Sequence, residues 1–227
     1  MVKAGIDQDA ITALFSQASA RQGTMLRNAV TAATLKALQG RELTLENIRR
    51  VLKAAALATS AGAALNKARP ATIESLLMRS VEGMDAALIM AVDANRTALH
   101  QFMDLGVGLQ SAQMQMALEN LEKIDGVFIS VLGKVARIAA AQLASPWQRV
   151  FDALQRSGTG SGAQASQVVA QLAEQSRVAL RNGRAANVRA AQAMMNSYAS
   201  LVSGVLLGMS EGIVTSGKET GTRARKK

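Results

Sequence analysis

The chain has 227 residues, with 26 Lys and Arg against 16 Asp and Glu for a net charge of +10, two Pro, one His and no Cys. The missing Cys excludes disulfides, Cys-ligated zinc, iron–sulfur clusters and a thiol nucleophile; the single His100 excludes multi-histidine metal sites and makes a hydrolase triad improbable. Alanine supplies 43 residues and aromatics only 3%, a composition that favours an all-α fold.

The apolar pattern predicts long helices in chain order. The first runs from Ile6 to about Gln22, with Ile6, Ala10, Ile11, Leu14, Phe15 and Ala18 on one face. Gly23 and Thr24 either break it or sit inside a longer helix that reaches Gln39 and is ended by Gly40. Thr44 reads as the N-cap of the next helix, with Leu45, Ile48, Val51, Leu52 and Ala55 on its apolar side; Pro70 forces a stop near Ala68.

From Thr72, read as a cap, the apolar positions repeat every eleven residues: Ile73, Met84, Asn95; Leu77, Leu88, Leu99; Val81, Val92, Met103. Eleven residues over three turns is close to the period of an undistorted helix, so a rod over 72–105 needs little supercoil. Gly106 and Gly108 stop it. Ser111 opens a helix with a heptad-like seam, Leu121, Ile124, Phe128, Val131, Val135 and Ile138. The short turn between these two rods predicts an antiparallel hairpin. Ser145-Pro146 reads as a cap followed by Pro at the first position of a short helix containing Trp147, Val150, Phe151 and Leu154.

Residues 157–163, beginning SGTGSG, read as a flexible linker. Beyond them the pattern predicts one long Ala/Gly-rich helix over 164–216, then a disordered basic tail over 217–227. The expected organisation is therefore basic N-terminal helices (1–70), a central helical hairpin plus short helix (71–156), the linker, the long helix and the tail. The fold class is an all-α bundle of long helices.

Charge follows that division. Residues 1–70 carry 10 basic and 4 acidic residues, 71–156 carry 7 and 9, and 157–227 carry 9 and 3, so both flanks are basic around a mildly acidic middle. Polyanions are plausible partners for such flanks, although net charge of this size also serves solubility. Arg177, Arg181, Arg184 and Arg189, with Arg223, Arg225, Lys226 and Lys227 in the tail, are the polyanion-binding candidates. No aromatics interleave them, which argues against base stacking. The N-terminus carries Asp7 and Asp9 and no early apolar run, so no secretory signal is expected. The most apolar window, Tyr198 to Val214, holds Ser200, Ser203, Ser210 and Glu211, so no transmembrane insertion and a cytoplasmic location are expected.

The chemistry-bearing motifs have ordinary explanations. His100 and Asp104 lie one helical turn apart but lack a second His; Glu119, Glu122 and Asp125 lack the Glu-x-x-His of a di-iron bundle. Neither catalysis nor a cofactor or metal is expected. Gly204, Gly208 and Gly212 form a small-xxx-small row that predicts either a close helix contact or simply a weakened helix. The eleven Met residues read mainly as adaptable core filler.

The stretch Val81-Glu82-Gly83-Met84-Asp85-Ala86-Ala87-Leu88 with the Ala-rich helix after it, and Met116-Ala117-Leu118-Glu119-Asn120-Leu121-Glu122-Lys123-Ile124 followed by Val127-Phe128-Ile129 and Val131-Leu132, resemble phasin-like helical proteins of bacteria that store polyhydroxyalkanoate. The likeness covers about residues 70–215. It implies a non-enzymatic protein that coats storage granules through amphipathic helices and self-associates. The residues expected to pack or bind that surface are Leu77, Met84, Leu88, Leu99, Phe128, Val131, Val135, Leu201 and Val205. Two other readings stand beside it: a nucleic-acid-associated helical protein using the basic flanks, and a helical scaffold that only oligomerises.

Overall fold

A computed structural model describes residues 5–39, 43–105, 107, 111–181 and 198–209. These form an all-α bundle of long helices, with no strand among the described residues. Helix α1 spans Gln8–Gln17, α2 Gly23–Gln39, α3 Leu45–Leu65, α4 Pro70–Asp104, α5 Ala112–Ile138, α6 Ala141–Ser157 and α7 Gly160–Arg181, with a 3-10 turn over Ala20–Gln22 before α2. Residues 198–209 are also helical and are labelled α8.

Short polar side chains set most of the helix ends, because each satisfies a backbone donor that the first turn leaves unpaired. Asp7 accepts from the Ala10 N–H (3.0 Å), Thr44 from Asn47 (3.2 Å) and Ser111 from Met114 (3.3 Å). The first helix stops at Gln17, earlier than the pattern predicted. Its break lies at Ala18–Ser19, where the Ser19 N–H donates to Gln22 Oε1 at 2.8 Å, and Gly23 then begins α2. Asn66 caps two helices together. Its backbone N–H donates to the Gly62 and Ala63 carbonyls at the end of α3, and its Nδ2 donates to the Phe15 and Ala18 carbonyls at the end of α1.

Two predicted starts move. Helix α4 begins at Pro70 rather than beyond Thr72, using Pro where the missing N–H costs nothing. Helix α6 begins at Ala141, which leaves the buried Pro146 inside it. There Pro146 cannot donate to the Gln142 carbonyl. Packing of the fully buried Trp147, whose Nε1 donates to Ser60 Oγ at 3.2 Å, accompanies that lost bond.

Helix α4 is the centre of the bundle, about 52 Å long at 1.5 Å per residue. Its eleven-residue rows are buried except at half-buried Met103, and a second buried row, Leu76, Ala87, Ala91, Ala98 and Phe102, faces other neighbours. One helix can serve α2, α7, α6 and α3 at once only with two apolar rows. The seam of α5 is buried from Leu121 to Val135 against α3, α7 and α6, but Ile138 emerges to 68% exposure. Helix α7 runs with α4 (Gly160 beside Asp85, Gln164 beside Asp93), and its first turn also meets α5 (Thr159 beside Asp125). The two rods are antiparallel, as their short connection predicts: Asp85 and Asp125 meet at the start of α7, while Glu74 of α4 and Gly133 of α5 lie beside Arg149 and Phe151 of α6. They barely touch, because α3, α6 and α7 take up their facing surfaces.

The SGTGSG segment is the main correction. It is not a flexible joint: α6 continues to Ser157, Gly158 takes a left-handed φ of 69°, and Gly160 begins α7. The Thr159 hydroxyl oxygen accepts from the Gly162 N–H at 2.9 Å. Asp85 of α4 accepts from the N–H groups of Gly160 (2.8 Å) and Ser161 (3.0 Å), and Asp125 of α5 accepts from the Thr159 hydroxyl. The residues must be small, since a Cβ on Gly162 would lie 2.7 Å from Asp125 Cγ. Low side-chain bulk permits a tight clamp here, where composition alone suggested a loose chain.

A single straight rod over 164–216 is excluded as well. Gln164 Nε2 donates to Asp93 Oδ1 at 3.0 Å and the Tyr198 hydroxyl donates to Asn95 Oδ1 at 2.7 Å, so Gln164 and Tyr198 sit at the same level of α4. In a straight helix they would be about 51 Å apart. Helix α8 is held to the α2–α3 corner by Ser203 donating to the Gln39 carbonyl (3.0 Å), Gln39 to the Leu206 carbonyl (3.3 Å) and the Leu43 N–H to Ala199 (3.2 Å). Residues 182–197 and 210–227, including the predicted tail, lie outside the described residues.

Close helix crossings occur at other glycines than the predicted row. Nothing lies within 4 Å of a Cβ built on Gly204 or Gly208, and Gly212 is outside the described residues. Instead a Cβ on Gly83 of α4 would meet the Arg27 carbonyl of α2 at 2.6 Å, and one on Gly62 of α3 would meet Phe15 Cβ of α1 at 2.6 Å. Gly83→Ala is expected to destabilise by about 1–3 kcal/mol, because backbone must move to admit the methyl. Gly126→Ala, at a helical position with open space around it, is expected to stabilise by about 0.5–1 kcal/mol. Urea denaturation of the two variants checks the contrast.

Candidate functional site

Most residues expected to bind a surface are inside the bundle. Leu77, Met84, Leu88 and Leu99 of α4 and Phe128, Val131 and Val135 of α5 are buried, while Leu201 and Val205 of α8 are half-buried against the core. In the closed bundle the first seven pack; they do not present themselves. Of the polyanion candidates, Arg177 is exposed and pairs with Glu174 at 3.0 Å. The Arg181 side chain and Arg184, Arg189, Arg223, Arg225, Lys226 and Lys227 fall outside the described residues.

The chemically distinctive surface lies where α3 and α5 finish and α4 and α6 begin, a junction tied by Gln142 Nε2 donating to the Ala64 carbonyl at 3.3 Å. Two large apolar side chains stand in solvent there, Leu65 at 64% and Ile138 at 68%. Exposed cations accompany them: Lys67, Arg69, Lys134 and Arg137. Other large apolar side chains, Met25 and Met116 among them, are exposed elsewhere on the bundle.

From this end a groove of about 460 Å³ runs between α3 and α5, lined by Arg49, Lys53, Ser130, Val131, Lys134, Val135, Arg137 and Ile138. Its lining is mostly carbon. Val131, Val135 and Ile138 recur at helical spacing along α5, and long cationic side chains lay apolar stems beside such a floor while their heads stay in water. The lining contains four cations and no acid. None of the four pairs with a carboxylate among the described residues, and Glu46, the acid in the first turn of α3, is taken by Arg50 at 2.7 Å. An apolar trough with an uncompensated positive rim suits an amphiphilic anion. The sequence reading missed this cluster. Arg49/Lys53 and Lys134/Arg137 are visible as one-turn pairs, but only the packing of α3 on α5 brings them together.

The motifs weighed for catalysis do not assemble. No hydrogen bond or ion pair joins His100 to Asp104 among the described residues; Glu119 pairs with Lys123 at 3.1 Å, and Asp125 serves the α7 clamp. No group of three His, Asp or Glu converges as metal ligands would among the described residues, and no described helix is long and apolar enough to cross a membrane.

Tyr198 is a titratable group set apart by its surroundings. Its ring lies 6.2 Å from that of Phe102, its hydroxyl donates to Asn95, and Asn95 Nδ2 donates to the Ala91 carbonyl at 2.7 Å. Burial pushes the phenol well above its ordinary value.

The chain belongs to DUF6781, a family of unknown function, whose match covers residues 1–215. No curated protein and no solved structure matches it.

Because the folded state disfavours tyrosinate, the stability carried by the Tyr198 proton is complete below about pH 10 and is lost as pH rises above it. Tyr198→Phe is expected to cost about 1 kcal/mol at neutral pH through the Asn95 bond. The gap between the two proteins should narrow above about pH 10. Tyrosinate absorbance reads this one group, since the chain has a single Tyr.

Proposed function

We propose that this is a non-enzymatic helical protein that coats a hydrophobic storage material of the polyhydroxyalkanoate type and associates with further copies of itself on that surface. The carrying observation is the pairing of exposed Leu65 and Ile138 with a cationic rim at one end of a bundle whose other large seams are internal. Contact begins at this end, where apolar groups already face solvent. The buried rows of α4 and α5 then exchange one apolar neighbour for another. Apolar area is worth about 25 cal/mol per Å² whether it is covered by a sister helix or by polymer, so the exchange has little net cost in burial. Ala-rich rows make it easier still, as Ala87, Ala91, Ala94 and Ala98 bury little area each. The phasin-like sequence pattern supports the same reading.

The test is co-sedimentation of the full chain with poly-3-hydroxybutyrate nanoparticles, together with amide hydrogen exchange of the bound protein. Saturable adsorption, faster exchange in α4 and α5, and several-fold weaker adsorption of Leu65→Ser/Ile138→Ser are expected. Both substituted residues are exposed, so the folded bundle should survive. Adsorption no better than that of an unrelated helical protein of equal charge, or exchange unchanged on the particles, would overturn the reading.

A further inference from the structure

We propose that the α3–α5 groove binds one free long-chain carboxylate, an anion of the fatty-acid class. Its acyl chain lies against exposed Ile138 and the aliphatic stems of the rim cations, over the buried Val131 and Val135, and its head is held by the charged ends of that rim. Such binding is a property of the folded bundle in solution and stands whether or not the protein coats a polymer.

Size, lining and charge favour this occupant. A space of about 460 Å³ falls within the ~300–1,000 Å³ of small-molecule sites. The carbon-rich lining gives an acyl chain a place to leave water, which a nucleic-acid backbone would not use.

Four like charges gathered from two helices repel one another, and no protein carboxylate among the described residues offsets them. A bound anion supplies the missing charge. Arg49 and Arg137 present planar donor forks that match a carboxylate, while Lys53 and Lys134 act as compact point charges on flexible stems. The Ser130 hydroxyl adds a neutral donor on the same rim. A neutral amphiphile would satisfy only the floor, and a small inorganic anion only the rim.

Isothermal titration of the full chain with dodecanoate, below the concentration at which the probe self-associates, tests the proposal. One saturable site is expected, with methyl dodecanoate binding at least tenfold more weakly. Lys53→Glu/Lys134→Glu should lower dodecanoate affinity at least tenfold at unchanged urea stability, since both side chains are exposed. Ser130→Trp, which fills the groove from an exposed position, should abolish binding by a route independent of charge. Absence of a saturable site, equal binding of the ester, or full affinity in either variant would overturn it. Duplex DNA or anionic vesicles binding through these cations while dodecanoate does not would overturn it too. Polymer adsorption measured on the same variants separates this site from the granule reading: Ser130→Trp should lose dodecanoate and keep the particles.

Discussion

The bundle depends on two aspartates that meet at the first turn of α7. Asp85 comes from α4 and Asp125 from α5, helices that scarcely touch each other. Between them the Gly160 and Ser161 N–H groups donate to Asp85, the Thr159 hydroxyl donates to Asp125, and the Gly162 N–H donates to the Thr159 hydroxyl oxygen. A carboxylate at a helix N-terminus is held by charge-assisted bonds and by the helix dipole together. The clamp fixes where α7 enters, and α7 then fills the space between the two rods. Without small residues at 160 and 162, the aspartates could not come so close.

The same economy of side-chain volume recurs through the core. Gly83 lets α2 approach α4, Gly62 lets α1 approach α3, and rows of Ala let α4 take several neighbours without a thick side-chain layer. Close backbone approach gains dispersion contacts but buries little area per residue. Specificity then rests on a few polar ties between distant parts of the chain: Asn66 onto α1, Trp147 onto Ser60, Tyr198 onto Asn95. Two buried hydroxyls, Thr34 and Thr59, have no partner among the described residues. A core of this kind suits a protein whose helices trade partners, the behaviour proposed for it at a hydrophobic surface.

Surface chemistry divides along the long axis of the bundle. Solvent-facing ion pairs such as Arg79–Glu82 and Lys123–Glu119 are ordinary one-turn pairs and contribute little. The end that carries Leu65, Ile138 and the α3–α5 groove is different, because the cations of the groove pair with no carboxylate among the described residues and its large apolar side chains are exposed. The net charge of +10 is thus not only a solubility term. Part of it is concentrated where an apolar trough opens.

Periodicity alone determined the helical class, the presence of α3 to α5, the eleven-residue rows of α4 and the caps at Thr44 and Ser111, because these follow from contacts within one or two turns. Which helix lies beside which was decided only in three dimensions. An apolar stripe states that a face is buried but does not name its partner, so the expected hairpin of α4 and α5 is parted by α3, α6 and α7. Gly and Ser signal freedom in an isolated chain, yet at 158–162 their small volume is what the Asp85 and Asp125 clamp requires. The candidate site was illegible for a related reason. Arg49 and Lys53 are about eighty residues from Lys134 and Arg137, and no local pattern records that two outward faces become the walls of one groove.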